Sequence, residues 1–362
     1  MELKRIICIL AYVLTLLSTE FVYADQTLDE RDCTTVDISP QLGAVRNQGN
    51  IGWCYANVAA DLLTFRHKNE LGGKQASAGF VALTFNQFTL YLDPNEDAGY
   101  ITPAVIFSEF AGICPQAFQD EALKKSPYKS IREQITALVE LKKAYDEQRQ
   151  KSNTPEFKEL EVYRNSKSYI NLLSDDQLIK LLEMSSVKTF PRNLAQSLCR
   201  PYMIRVKPVL NLRPQWYFTE GLKNFIPWVF SNGLNNVIPF IAEGRKKETI
   251  AALGRRDLMK EVHEEIGNKN FVAFSYNTRI FYDPKSEKYK KAGLHASGIV
   301  GRRWHNGQCE LKLRNSWGAS CASYTNPELK GKCDPKTGYV WVPDSIFLRT
   351  IHDVTYYRRE KE

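Results

Sequence analysis

The sequence predicts an α+β chain with a helical first part, a strand-rich last third and a long, mainly helical stretch between them. Three observations predict it. After Cys54, apolar residues recur at Val58, Leu62 and Phe65, a helical spacing. From about Lys124 to Lys247 the chain is rich in Lys, Glu and Gln, and it carries apolar stripes with charges around them. Asn270–Tyr276, Ser297–Arg303, Cys309–Arg314 and Gly338–Pro343 are short runs that read as strands.

Taken in order, Met1 to Ala24 reads as a secretory signal. Lys4 and Arg5 precede a short apolar core, Ile6 to Leu17, and Val22-Tyr23-Ala24 supplies the cleavage positions. The core is shorter than the ~20 residues that span a bilayer, so cleavage is expected, with no stable membrane insertion afterwards. Phe225 to Ile241 is apolar-rich but is broken by Ser231-Asn232-Gly233 and Asn235-Asn236. Asp25 to Arg46 is a short entry segment, and a helix is expected over Pro103–Phe110. In the long middle stretch, Ile131, Ile135, Leu138, Leu141 and Tyr145 mark an amphipathic helix. Ser174-Asp-Asp-Gln177 before Leu178 is a capping box. Arg256 to Ile266 reads as a helix that leads into the strands.

The net charge of +8 is moderate, and a solvated Lys-rich face accounts for it. There is no zinc finger and no RNA-binding aromatic signature, so nucleic acid is not an expected partner. Removing the signal leaves Cys33, Cys54, Cys114, Cys199, Cys309, Cys321 and Cys333. With Cys54 set aside, the others are even in number and suit the disulfides of an exported protein. Cys321 with Cys333, across a Pro/Gly/Lys loop, is the favoured local pair. A metal site of His305, Cys309, Cys321 and Cys333 lacks tight Cys-x-x-Cys pairs, and none is expected.

The chemistry concentrates in three places: Gln48-Gly-Asn-Ile-Gly-Trp53-Cys54-Tyr55, Leu294-His295-Ala-Ser, and Arg314-Asn315-Ser-Trp317-Gly. Thiol catalysis needs a thiolate, a base to hold it, a group to orient the base and a donor for the oxyanion. Singly, each residue has an ordinary structural reading. In this order and with these neighbours they resemble the papain-like cysteine peptidases, over residues 36–120 and 250–345.

That resemblance implies a papain-like two-lobed fold. Residues 25–123 would form a helical lobe with the nucleophile, and 248–362 a β-barrel lobe with His and Asn. Residues 124–247 would be an insertion, since His295 and Asn315 lie roughly a hundred residues beyond the ~130–150 separation known from papain. By the same resemblance Cys54 is the nucleophile, His295 its base and proton donor, and Asn315 the orienting group. Gln48 and the Cys54 N–H form the oxyanion hole. Trp317 shields the His–Asn bond, and Gly99 of Ala98-Gly99-Tyr100 pairs with the substrate backbone. No cofactor is implied, and the partner is a peptide or protein substrate.

Trp53 and Leu294 depart from the pattern. Trp53 is large where relatives are small, and is expected either to narrow the leaving-group side of the cleft or to turn outward. Leu294 replaces an acidic residue, which bears on the upper pH limb. The insertion is expected either over or beside the cleft, restricting access or choosing substrates, or as a solvated decoration far from the site. Three functions follow: an exported thiol endopeptidase in the periplasm or medium, an exopeptidase or amide-transfer enzyme with the same site, or a non-catalytic binding protein on a peptidase fold. His67, His263, His305 and His352 read as structural or surface residues.

Overall fold

The computed structural model describes residues 29–49, 51–88, 99–118, 131–151, 173–187, 189–206, 212–216 and 246–358. The expected signal segment, the loop at 93–98 and the apolar run at 225–241 lie outside them. Within them the chain is α+β, as its patterning predicts.

The chain enters through β1 (Val36–Asp37) and reaches α1 (Cys54–Arg66), followed by α2 (Ala78–Phe88) and α3 (Ile101–Ala111). α1 is buried from Tyr55 to Thr64, so no face of its middle meets water. It packs against α2, α3 and a strand of the sheet. Val58 and Leu62, the expected stripe, are one side of this enclosure, and polar Asn57, Asp61 and Thr64 are buried with them. Buried polar groups of this kind need partners.

The middle of the chain supplies α4 (Ile131–Lys151), α5 (Asp175–Met184) and α6 (Phe190–Cys199). Ser174 caps α5 as its sequence predicts: its hydroxyl accepts from Gln177 N at 3.2 Å, and its own N–H donates to Gln177 Oε1 at 2.9 Å. Leu138, Leu141 and Tyr145 of α4 meet Leu178, Leu182, Phe190, Leu194 and Leu198 in a separate small core. α6 leans on α2 of the helical lobe, and Cys114–Cys199 fastens it there.

The second lobe is an antiparallel sheet of β2 (Leu212–Trp216), β3 (Val272–Asn277), β4 (Leu294–His305), β5 (Gln308–Arg314), β6 (Val340–Pro343) and β7 (Ile351–Tyr357). The order is β2-β7-β3-β4-β5-β6, with β1 paired to β4. β2 falls inside 124–247 yet belongs to this sheet: Leu212 to Trp216 pair with Tyr357 to Asp353. Side chains alternate between two cores. Val272, Phe274 and Tyr276 of β3 point into the lobe's own core, which is filled by Leu258, Val262 and Ile266 of α7 (Lys246–Gly267). Phe271 and Ala273 point to the helical lobe.

Two further disulfides are present. Cys321 pairs with Cys333 as expected, and Cys33 ties the entry segment to Cys309 on β5. Among the described residues no helix is long and apolar enough to cross a membrane.

Candidate active site

α1 begins at Cys54, with Trp53 as N-cap and no side-chain capping bond. Cys54 is half-buried and is the one described cysteine outside a disulfide. The first turn of a helix favours an anion through its N–H groups and dipole.

His295, near the start of β4, is 7% exposed. Its Nε2 lies 2.7 Å from Asn315 Oδ1. An amide oxygen only accepts, so Nε2 carries the proton and Nδ1 is the lone pair of the neutral ring. Asn315 cannot rotate freely. Its Oδ1 also accepts from Ser316 N at 2.7 Å and from Ser297 Oγ at 3.3 Å, and its Nδ2 donates to Tyr324 OH at 3.2 Å.

Aromatic rings enclose this pair. Trp317 lies 5.0 Å from the His295 ring, centroid to centroid. Phe281 and Tyr324 flank Trp317 at 5.3 and 5.8 Å. Tyr276 meets His295 edge-on at 5.8 Å. Burial pulls the His295 imidazole down to about 4, and the bond to Asn315 works the other way. Alone in this pocket the ring is neutral at pH 7. A thiolate beside it would favour the imidazolium, so thiol and ring would titrate together. Cys54 is within electrostatic reach of this wall: the Tyr276 hydroxyl is held well above its ordinary value, first by burial and, as a smaller cause, by Cys54.

Gln48 is locked against the Asn315 loop. Its backbone N–H donates to Ser316 O at 2.8 Å, and its Oε1 accepts a short hydrogen bond from Ser316 Oγ. Asn47 bridges to Trp317 as a one-residue antiparallel pair. The Gln48 amide donates one hydrogen to Ile51 O at 2.9 Å and has a second to offer. His295, Asn315, Gln48 and Trp317 are therefore joined in one cluster, and Gln48 is tied through Ile51 O to the turn that leads into Cys54.

Gly99 sits against Tyr55, the residue after Cys54. A Cβ there would stand 2.5 Å from the Tyr55 ring, so packing alone requires glycine at this position. Trp53 is a correction. It neither narrows the cleft nor turns outward: it is 1% exposed within the main core. Cys54, one residue on, packs against the edge of the same core while staying half-buried. Leu294 is 67% exposed beside His295.

Three residues with no role in the sequence reading hold the site. Ser316 was visible within Asn-Ser-Trp-Gly, but Ser297 and Tyr324 carry no local signal. His263, Cys309 and Asp344 place donor atoms within 4.8 Å of one another. Cys309 is bonded to Cys33, so its sulfur offers no thiolate to a metal.

No protein-family model matches the chain, and no curated protein matches it. Solved structures do. The chain is similar to xylellain, a cysteine protease from Xylella fastidiosa, at 14% identity over 90% of this chain and 86% of that one, with a TM-score of 0.41. It is similar to digestive procathepsin L 3 of Tenebrio molitor at 12% identity, over 93% and 73%, with a TM-score of 0.40. It is also similar to the proform of the ragweed pollen cysteine protease Amb a 11 at 13% identity, over 95% and 71%, with a TM-score of 0.39. At such values the residues of the site, rather than the likeness, carry the chemistry.

Proposed function

We propose that the protein is an exported cysteine peptidase that hydrolyses peptide bonds through an acyl-enzyme on Cys54. The observation that carries this reading is the 2.7 Å His295–Asn315 bond, set beside a helix that starts at Cys54.

The Cys54 thiolate attacks the scissile carbonyl carbon, and the carbonyl oxygen becomes an oxyanion. The second Gln48 amide hydrogen and the Cys54 backbone N–H stabilise it, one such donor being worth roughly 3 kcal/mol. The C–N bond breaks as the His295 imidazolium gives its Nδ1 proton to the leaving amine. The thioester is then attacked by water, whose proton passes to neutral His295, and the acid product leaves with the thiolate restored. Asn315 keeps the ring at the required angle, and Trp317 keeps water from that bond. Gly99 is the backbone position that pairs with an extended substrate. Export is supported by the three disulfides, which persist in oxidising compartments.

The test is intact-mass labelling of the purified protein with a peptide-like electrophile across pH 4 to 9, beside Cys54→Ala and His295→Ala. Labelling at Cys54 below pH 7, absent in the first variant and slowed in the second, is expected. Labelling that emerges only near ~8.5, the range of an ordinary thiol, would shift the reading to a binding protein.

A further inference from the structure

Asp61 lies on α1 two turns after Cys54 and on the same face of the helix. Its side chain is 6% exposed. One oxygen, Oδ1, accepts from Arg46 Nε at 2.7 Å and from Arg314 Nη2 at 3.2 Å. The other, Oδ2, accepts from Arg314 Nε at 2.8 Å. Arg46 precedes Gln48 by two residues, and Arg314 directly precedes Asn315. A single carboxylate on the nucleophile's helix thus grips the roots of the two loops that bring Gln48 and Asn315 to the site.

The two arginines have little remaining freedom. Arg314 also donates to Gly43 O at 3.0 Å, Ala44 O at 2.5 Å and Tyr339 OH at 2.8 Å. Arg46 donates to Gln116 Oε1 at 3.0 Å. Beyond the arginines the loops are stitched to each other: Gly318 N donates to Arg46 O at 2.8 Å, and Gln48 N to Ser316 O at 2.8 Å. Any shift of Asp61 therefore moves Gln48 and Asn315 together relative to Cys54. Burial pushes the Asp61 carboxyl up, but Arg314 and Arg46 outweigh it and bring it below its ordinary value, so it stays charged.

We propose that Asp61 is the positioning residue of the site, fixing the oxyanion donor and the imidazole-orienting amide against the nucleophile through Arg46 and Arg314. This deepens the peptidase reading and rests on it. Asp61 touches neither substrate nor reacting atoms. Its effect is geometric, and displacements on the order of 1 Å in such groups cost up to about 100-fold in rate.

The test measures kcat and KM separately on the best-cleaved member of a fluorogenic peptide-amide library, using the mature, disulfide-bonded protein. Asp61→Asn keeps the shape and removes the charge. It should lower kcat about 10- to 100-fold, with KM within about threefold. Asp61→Asn also leaves two buried guanidiniums without a counter-charge, which can prevent folding. Arg314→Lys keeps the charge and loses the planar fork, and should lower kcat about tenfold with KM again unchanged. Asp37→Asn, which breaks the Lys312 pair on β1, is the control for losing an ion pair and should stay within about twofold of wild type.

A folded Arg314→Lys or Asp61→Asn protein that melts earlier yet turns over at the wild-type kcat would overturn the proposal and leave the peptidase reading standing. A wild type that cleaves no library member and is not labelled at Cys54 would overturn both.

Discussion

α1 and the helices of the middle stretch are built on opposite plans. α1 is enclosed on all sides and keeps Asn57, Asp61 and Thr64 inside, each with a partner. α4 and α5 each bury one stripe in a core shared with α6 and turn charged faces outward, while α6 is wedged between that core and α2. The difference separates what the two regions are for. A change at Asp61 on α1 disturbs stability and chemistry at once, because its partners Arg46 and Arg314 lead into the loops of the site. A change in the α4–α6 core should cost stability alone.

The sharpest break of that comparison is Cys54→Ala. It should abolish turnover and labelling, lowering kcat on the order of 10⁴-fold or more, while urea unfolding changes little. Gln48→Ala should follow, with kcat lower by about 100- to 1000-fold in steady-state assays. A peptidase with undiminished kcat in that variant would remove Gln48 from the oxyanion hole.

A pH experiment probes the sheet side of the site. In Cys54→Ala, which has no thiolate beside the ring, the folded His295 titrates at about 4, below the ordinary 6.5. Between those values the unfolded chain binds a proton that the folded chain refuses. Stability should therefore be level above pH 6.5 and fall by about 3 kcal/mol as pH drops to 4. Urea titrations at a series of pH values measure the slope, and His295→Ala should remove that part of it.

The smallest expected effect on activity lies in the middle stretch. Leu182→Ala should cost about 2–5 kcal/mol of stability, and breaking Cys114–Cys199 by a double Ser substitution about 4 kcal/mol. In both cases kcat on a short peptide should stay within about twofold. A large loss of kcat in either variant would show that the middle helices reach the chemistry after all.

The legibility of the sequence divides along the same line. Cys54, His295, Asn315 and Gln48 were proposed because their short runs, in this order, resemble those of the papain-like peptidases; singly, none of them stands apart from a structural residue. The α5 cap was legible because its bonds span only three residues. Asp61 was not, since an acidic residue in a helix reads as solvated until its partners, far away in sequence, are known. Trp53 was misplaced because position next to a nucleophile does not say which way a side chain swings. β2 was hidden by Pro214. Proline reads against a strand, yet an edge strand such as β2 tolerates it because the outer N–H has no ladder partner.

The Cys33–Cys309 bond has a consequence for how such an enzyme could be switched on. Many hydrolases are made as zymogens and released by cutting away a leading peptide. Here Ile38 and Leu42 are bedded in the main core, and Cys33 is riveted to β5. A cut anywhere between Cys33 and Gln48 would leave the upstream fragment on the body of the protein. The stretch after Cys33 is thus masonry rather than a removable plug, and only a cut before Cys33 can free a leader from this chain without reduction.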